Sequence, residues 1–213
     1  MNDIVQQVFQ GIVDGDQGQV AEKVEAALQA GVSARTILNE GMLAAMAEVG
    51  RLFEEGECYV PEMLMSARAM KAGLAKLQPS LKQTDVQAAG RVALGTVKGD
   101  LHDMGKNLVG MMLEGAGFTV KDLGVDVSPE AFVAAADEVD VIGLSALLTT
   151  TMGHMKDALY ALESAGKRSK VKVIVGGAPV TEDFARQIGA DGYAPDASRA
   201  VALAKSLIAA TSQ

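Results

Sequence analysis

From Arg91 onward the chain alternates between short β-rich runs and helical stretches, and this alternation leaves few folds open to its second half. The runs are RVALGT, FTVKDL, VDVIGLS, VKVIVGG and a short GYA. The spacing between and after them predicts helices over 105–116, 129–138, 152–165, 181–189 and 196–210. A succession of βα units argues for a parallel sheet with helices on both faces. The strands read as apolar nearly throughout, as burial on both faces requires. In a flavodoxin-like order, 2-1-3-4-5, strands 1, 3 and 4 are neighbours.

The first 78 residues follow a helical rule instead. Residues 3–13 form a short amphipathic stretch, and Asp16 can cap a second helix that ends near Gly31. Ser33 can cap a third, running to about Phe53. In it Leu38, Met42, Ala45, Val49 and Phe53 recur at three- and four-residue steps. Pro61 suits the first turn of a fourth helix, 61–77, and Pro79 is expected to end it. Short helices joined by short links suggest a bundle. The polar, broken stretch PSLKQTDVQAAG reads as a linker. The expected organisation is a four-helix domain over 1–78, a linker over 79–90 and a five-stranded α/β domain over 91–213.

Apolar residues make up 49 % of the 213, enough to build cores. With aromatics at 4 % and no Trp, Ala, Leu, Val and eleven Met must do the packing. A net charge of −8 argues against nucleic acid as a partner. It leaves room for a ligand with one phosphate, which backbone N–H groups can hold. The single Cys58 excludes an internal disulfide and a multi-cysteine zinc site, and fits a reducing, cytoplasmic compartment. The N-terminal stretch lacks a basic n-region and is broken by Gly and Asp, unlike a signal peptide. No apolar run approaches the roughly 18 residues that span a membrane.

In open α/β sheets, ligands bind beyond the carboxyl ends of the strands. The unusual residues of this chain sit there. Strand 1 is followed by Thr96-Val97-Lys98-Gly99-Asp100-Leu101-His102-Asp103-Met104-Gly105. Strand 3 leads into Ser145-Ala146-Leu147-Leu148-Thr149-Thr150-Thr151, and strand 4 into Gly176-Gly177-Ala178-Pro179. A His that ligates a metal commonly passes its other ring N–H to a carboxylate, and Asp100 can accept it from His102. Gly99 and Gly105 would let the backbone approach a bulky ligand. The plainer alternative is a surface loop in which Asp100 caps the next helix. Gly176-Gly177 could open a path for a long ligand or simply make a tight turn. His154, on the helix after strand 3, reads as a surface residue or one supporting the site from behind. One His and one Asp do not make a zinc or non-haem iron site, which needs three or four protein ligands. A metal already held in a macrocycle needs only one axial ligand from the protein.

Asp100-x-His102-x-x-Gly105, Ser145-x-Leu147 and Gly176-Gly177 together resemble the binding signature of base-off, His-on cobalamin proteins. The stretch TVKGDLHDMGKN is similar throughout to the corresponding loop of cobalamin-dependent methionine synthase. The segment from Phe53 to Leu77, with YVPEMLMSARAMKAGLAKL, looks like part of the helical cap over the corrin in that enzyme. A cap and a cobalamin domain without substrate barrels or a reactivation domain resemble the small corrinoid proteins of methyltransferase systems. Those systems serve methanol, methylamines, quaternary amines and, through O-demethylases, aryl methyl ethers.

The resemblance implies roles position by position. His102 would displace the cofactor's dimethylbenzimidazole and become the lower cobalt ligand. Asp100 would hydrogen-bond His102, and Thr151, where methionine synthase has a Ser, would complete the triad. Ser145, Gly176 and Gly177 would line the slot for the nucleotide tail. Asp103, Gly105, Leu147 and Thr149, in the same loops, would also meet the cofactor. Phe53 and Val60 would shield its upper face, Val60 replacing a larger Leu-like residue. The implied cofactor is cobalamin, a cobalt corrinoid, present as methylcobalamin when loaded. The implied partners are a donor-specific methyltransferase, a second methyltransferase passing the methyl to tetrahydrofolate or coenzyme M, and a reductive activase. The linker 79–90 would act as a hinge, because a cap must open to admit a partner.

Other readings fit less well. A cobalamin-dependent sensor or regulator would be expected to add an output domain. The small subunit of an adenosylcobalamin mutase would lack the helices of residues 1–78. A receiver domain would want a phosphorylatable Asp where this chain has Ser145. A ligand-free α/β scaffold would leave three motifs in register unexplained.

Overall fold

The computed structural model describes residues 2–81 and 89–211. These fall into two compact units, Met1–Gln87 with Glu114–Gly117, and Ala88–Leu113 with Phe118–Gln213. Most of the stretch read as a linker, residues 82–88, lies outside the described residues.

The helical unit begins with α1 (Asp3–Val13) and α2 (Gln17–Gln29). Asn2 caps α1 through Ile4 N, and Asp16 caps α2 through Gln19 N. Gly31, at φ 79°, takes the left-handed turn that follows α2. Ser33 Oγ accepts from Thr36 N at the start of α3 (Ala34–Thr36). The predicted third helix is not α-helical throughout. Residues Ile37–Leu43 form a π-helical segment before α4 (Ala44–Glu54). Gly41 in that segment lies under α1, where a Cβ would stand 3.2 Å from Val5 Cγ1. Leu38, Met42, Ala45 and Val49 are buried as their spacing predicts, while Phe53 is only half-buried.

The fourth helix, α5 (Val60–Leu81), runs past both predicted limits and contains Pro79. Proline removes the N–H that would reach back one turn, so it weakens the helix without forbidding a last turn. Among the described residues, Ser80 and Leu81 follow it in the helix. Residues 79–81, read as linker, are therefore helical. Val5, Val8, Ile12, Val20, Val24 and Met63 are fully buried and fill the centre of this unit.

The α/β unit holds strands β1 (Arg91–Thr96), β2 (Thr119–Asp122), β3 (Val141–Ser145), β4 (Lys172–Gly176) and β5 (Gly192–Tyr193). They form one parallel sheet in the order β2-β1-β3-β4-β5, as expected. Intervening helices are α6 (Met104–Gly115), α7 (Pro129–Ala135), α8 (Gly153–Ser164), α9 (Glu182–Ile188) and α10 (Ala197–Thr211). Ala93, Ile142, Leu144, Val173 and Val175 face a core shared with Phe132, Met155 and Leu159 of α7 and α8. The alternate positions Val92, Leu94, Val141 and Ile174 are equally buried, so the central strands are covered on both sides. β2 departs from the expectation of apolar strands. It lies at the sheet edge, and only Val120 is partly covered. Among the described residues no helix is long and apolar enough to cross a membrane.

Candidate functional site

Register brings the three loops together. Thr96 pairs with Ser145, and Ser145 pairs with Gly176, so β1, β3 and β4 end side by side. The loop after β1 turns at Gly99, φ 79°, and presents Asp100 and His102 before α6 begins.

Asp100 is fully buried, and its carboxylate organises the site. Oδ1 accepts from His102 N at 3.1 Å and lies 2.7 Å from His102 Nδ1. Oδ2 accepts from Leu147 N at 2.8 Å, from Leu148 N at 3.3 Å and from Thr151 Oγ at 2.8 Å. Asp100 therefore ties the loop after β1 to the turn after β3 rather than capping α6, which removes the plainer alternative. Burial alone would raise its pKa. The Leu147 N–H, the His102 ring and N–H, and the Thr151 hydroxyl outweigh that and hold the carboxyl well below the usual carboxylate range. Thr151, itself buried, also lies 2.9 Å from Leu148 O, and its single hydroxyl hydrogen serves one acceptor at a time.

An ionised Asp100 assigns the Nδ1 hydrogen of His102, since a carboxylate only accepts. Nε2 is then the nitrogen left for a ligand, and the side chain is 52 % exposed. Thr96, fully buried, donates its hydroxyl to His102 O at 2.8 Å and fixes the backbone that carries the ring. Around His102 the same loops expose large apolar side chains: Leu101 (71 %), Met104 (86 %), Leu147 and Leu148. Apolar side chains held out of a core beside a metal-type ligand suit the broad face of a macrocycle. Among the described residues no group of three or more His, Cys, Asp or Glu could hold a free metal ion. The donor set thus fits a metal that brings its own equatorial ligands, as a corrinoid does.

The remaining expected residues fall as follows. Asp103 is exposed, and its side chain accepts from Asn107 Nδ2 at 3.0 Å. Gly105 is exposed near the start of α6, where an added Cβ would meet nothing within 4 Å. Ser145 is half-buried at the end of β3, and Thr149 is exposed on the turn beyond it. Gly177, at φ 129°, is pressed against the strand-3 loop: a Cβ there would stand 1.9 Å from Ala146 O. Tight packing within the protein therefore already demands this glycine. Phe53 and Val60 belong to the helical unit, at the end of α4 and the start of α5, and Val60 is 42 % exposed. His154, on α8, is half-exposed with Nδ1 2.9 Å from Asp157 Oδ2.

Sequence reasoning gave no role of their own to Thr96, Leu101, Met104 and Lys106. Apolar residues inside a Gly- and Asp-rich loop were the available signal for Leu101 and Met104. No such signal marked Lys106, which is buried on α6 and donates to Asp122 Oδ1 at 2.6 Å and Asn107 Oδ1 at 2.7 Å.

Comparison with known proteins yields consistent matches. Residues 90–202 match one family described as B12 binding domain, and residues 4–78 match a second of the same description. A corrinoid protein of Desulfitobacterium hafniense is 41 % identical over 210 residues, 96 % of this chain and 97 % of that protein. Dimethylamine corrinoid protein 2 of Methanosarcina acetivorans is 44 % identical over 209 residues, 97 % of this chain and 96 % of that protein. In the solved methanol:cobalamin methyltransferase complex of Methanosarcina barkeri, one chain aligns with a TM-score of 0.86 at 30 % identity. That alignment covers 98 % of this chain and 80 % of that one.

Proposed function

The chain belongs to the B12-binding corrinoid proteins of methyltransferase systems, and from that premise we propose that it carries methyl groups on a cobalamin held base-off, with His102 as the lower ligand. The observation that supports this most is the buried, ionised Asp100 fixing Nδ1 of a half-exposed His102 and leaving Nε2 outward. Bound cobalamin supplies a cobalt centre that accepts a methyl group from one protein and yields it to another.

The chain's own residues bind, orient and tune. Asp100 holds the His102 tautomer and the orientation of its ring. Thr151 and the Leu147 and Leu148 N–H groups stabilise the Asp100 charge, which keeps that hold in place. Ser145, Gly176 and Gly177 line the slot assigned to the nucleotide tail. Asp103, Gly105, Leu147 and Thr149 contribute to the surface around His102. Phe53 and Val60 are assigned to the cofactor's upper side, and the helical part to a cap, on the resemblance alone.

The relatives' names point to methylamines and methanol as donors of the wider group. The partners we assign are a donor-specific methyltransferase, a second methyltransferase and a reductive activase. The test is the absorption spectrum of anaerobically purified protein reconstituted with hydroxocobalamin, beside His102→Ala. Bound corrinoid in the wild type with an altered spectrum in the variant is the expected result. A wild type that keeps no corrinoid after desalting overturns the reading, and identical spectra overturn the role of His102.

A further inference from the structure

Asp126 is the one described non-glycine residue with positive φ, at 52°. A side chain costs energy in the left-handed region, and glycine would relieve it, so an Asp kept there invites a reason. The reason is visible in two hydrogen bonds. Gly99 N donates to Asp126 Oδ1 at 2.7 Å, and Asp126 N donates to Asp100 O at 3.0 Å. The turn after β2 thereby grips the loop after β1 on both sides of the Gly99–Asp100 peptide, one bond through a side chain and one through the backbone.

The grip is anchored from behind. Thr96 N donates to Gly124 O, Val127 N donates to Thr96 O, and Val97 bridges Val127. Gly124 N in turn donates to Asp122 Oδ1, the oxygen that also receives buried Lys106. The Asp100 side chain is aimed at His102 and at the turn after β3, while its backbone N–H donates to Val97 O at 3.1 Å and its carbonyl accepts from Asp126 N.

We infer that Asp126 is a positioning residue for the His102 ligand, holding the Asp100 backbone so that its carboxylate meets Nδ1. The inference rests on the lower-ligand role proposed for His102. Left-handed backbone and acceptor oxygen can be separated by substitution. Asp126→Gly keeps the backbone and removes the acceptor. Asp126→Asn keeps both, because Asn tolerates the same region and retains an amide oxygen. Asp126→Ala loses both.

The experiment titrates each variant with hydroxocobalamin, records the bound spectrum and measures the thermal midpoint. Asp126→Gly should fold, because glycine takes this φ freely. Its spectrum should shift towards that of His102→Ala, with cobalamin bound about 10-fold more weakly. Asp126→Asn should restore both. A residue that merely shapes the turn would change the midpoint in Asp126→Ala while the Asp126→Gly spectrum and affinity stayed those of wild type, and that result overturns the inference. If the wild type binds no corrinoid, the proposed function has failed. Amide exchange in the cofactor-free protein then decides the grip: faster exchange at Gly99 and His102 in Asp126→Gly supports it, and unchanged exchange overturns it.

Discussion

Gly105 and Gly177 look alike in the sequence, two glycines in loops at the same sheet edge, and the structure separates them. At Gly177 an added Cβ meets the Ala146 carbonyl oxygen at 1.9 Å with φ at 129°. Gly177→Ala should cost about 2 kcal/mol or more from strain and overpacking. For a chain of this size that lowers the thermal midpoint by roughly 4–8 °C, readable by circular dichroism. At Gly105 an added Cβ meets no protein atom within 4 Å. Gly105→Ala should leave stability unchanged or raise it by up to ~1 kcal/mol, because alanine favours helix. If the space over Gly105 is for cobalamin, the same variant should bind it more weakly in a titration. Unchanged affinity would remove Gly105 from the binding surface.

At the scale of elements, an ion pair with one buried partner links α6 to β2. Lys106 has 3 % of its side chain exposed and meets Asp122, which is 56 % exposed. Burial would raise the Asp122 pKa, but the Lys106 ammonium and the Gly124 N–H hold it below the ordinary carboxylate value. Removing the two partners should not be symmetric. Asp122→Ala leaves a buried ammonium with only the Asn107 side chain, at a cost of about 1–3 kcal/mol. Lys106→Met replaces the buried cation with an apolar chain of similar length and should cost less. The pH dependence has a definite sign. A carboxyl whose folded pKa is depressed stabilises the fold above its unfolded pKa, near 3.9, and loses that contribution as pH falls through the folded value. The stability gap between wild type and Asp122→Ala should therefore be flat from about pH 5 to 8 and shrink below about pH 4. Chemical denaturation across that range measures it. A gap that widened in acid would contradict the ion-pair account.

At the scale of the molecule, a ligand that binds only the folded chain must stabilise it. Hydroxocobalamin at about 100 times its dissociation constant adds roughly 2.7 kcal/mol. Calorimetry should therefore show an upward shift in the transition of the unit that carries the site. His102→Ala should shrink that shift at equal cobalamin concentration, since it removes the proposed cobalt ligand and leaves the surrounding loops. An equal shift in the variant would mean that the corrinoid is held without His102. The acidic chain, at net charge −8, also implies that docking to partner proteins is not driven by its own positive charge.

The sequence by itself determined the class of the fold and, through its resemblance, nominated the residues proposed for the site. Strand and helix periods are local properties, so the βα succession and the caps at Asp16 and Ser33 could be read without coordinates, and the observed sheet order is that of the flavodoxin-like class the succession pointed to. His102 and Asp100 stood out through the resemblance of three loops to a cobalamin-binding signature, because the pair alone fitted a surface loop with Asp100 as a helix cap equally well. Tertiary structure alone decided what depends on residues far apart in the chain. It showed that Asp100 binds Leu147 and Thr151 instead of capping α6. It showed that Gly177 is required by Ala146, that β2 is an exposed edge and that Asp126 grips the His102 loop. Hydrogen bonds and steric limits between loops depend on register, and register is settled only when the whole sheet has formed.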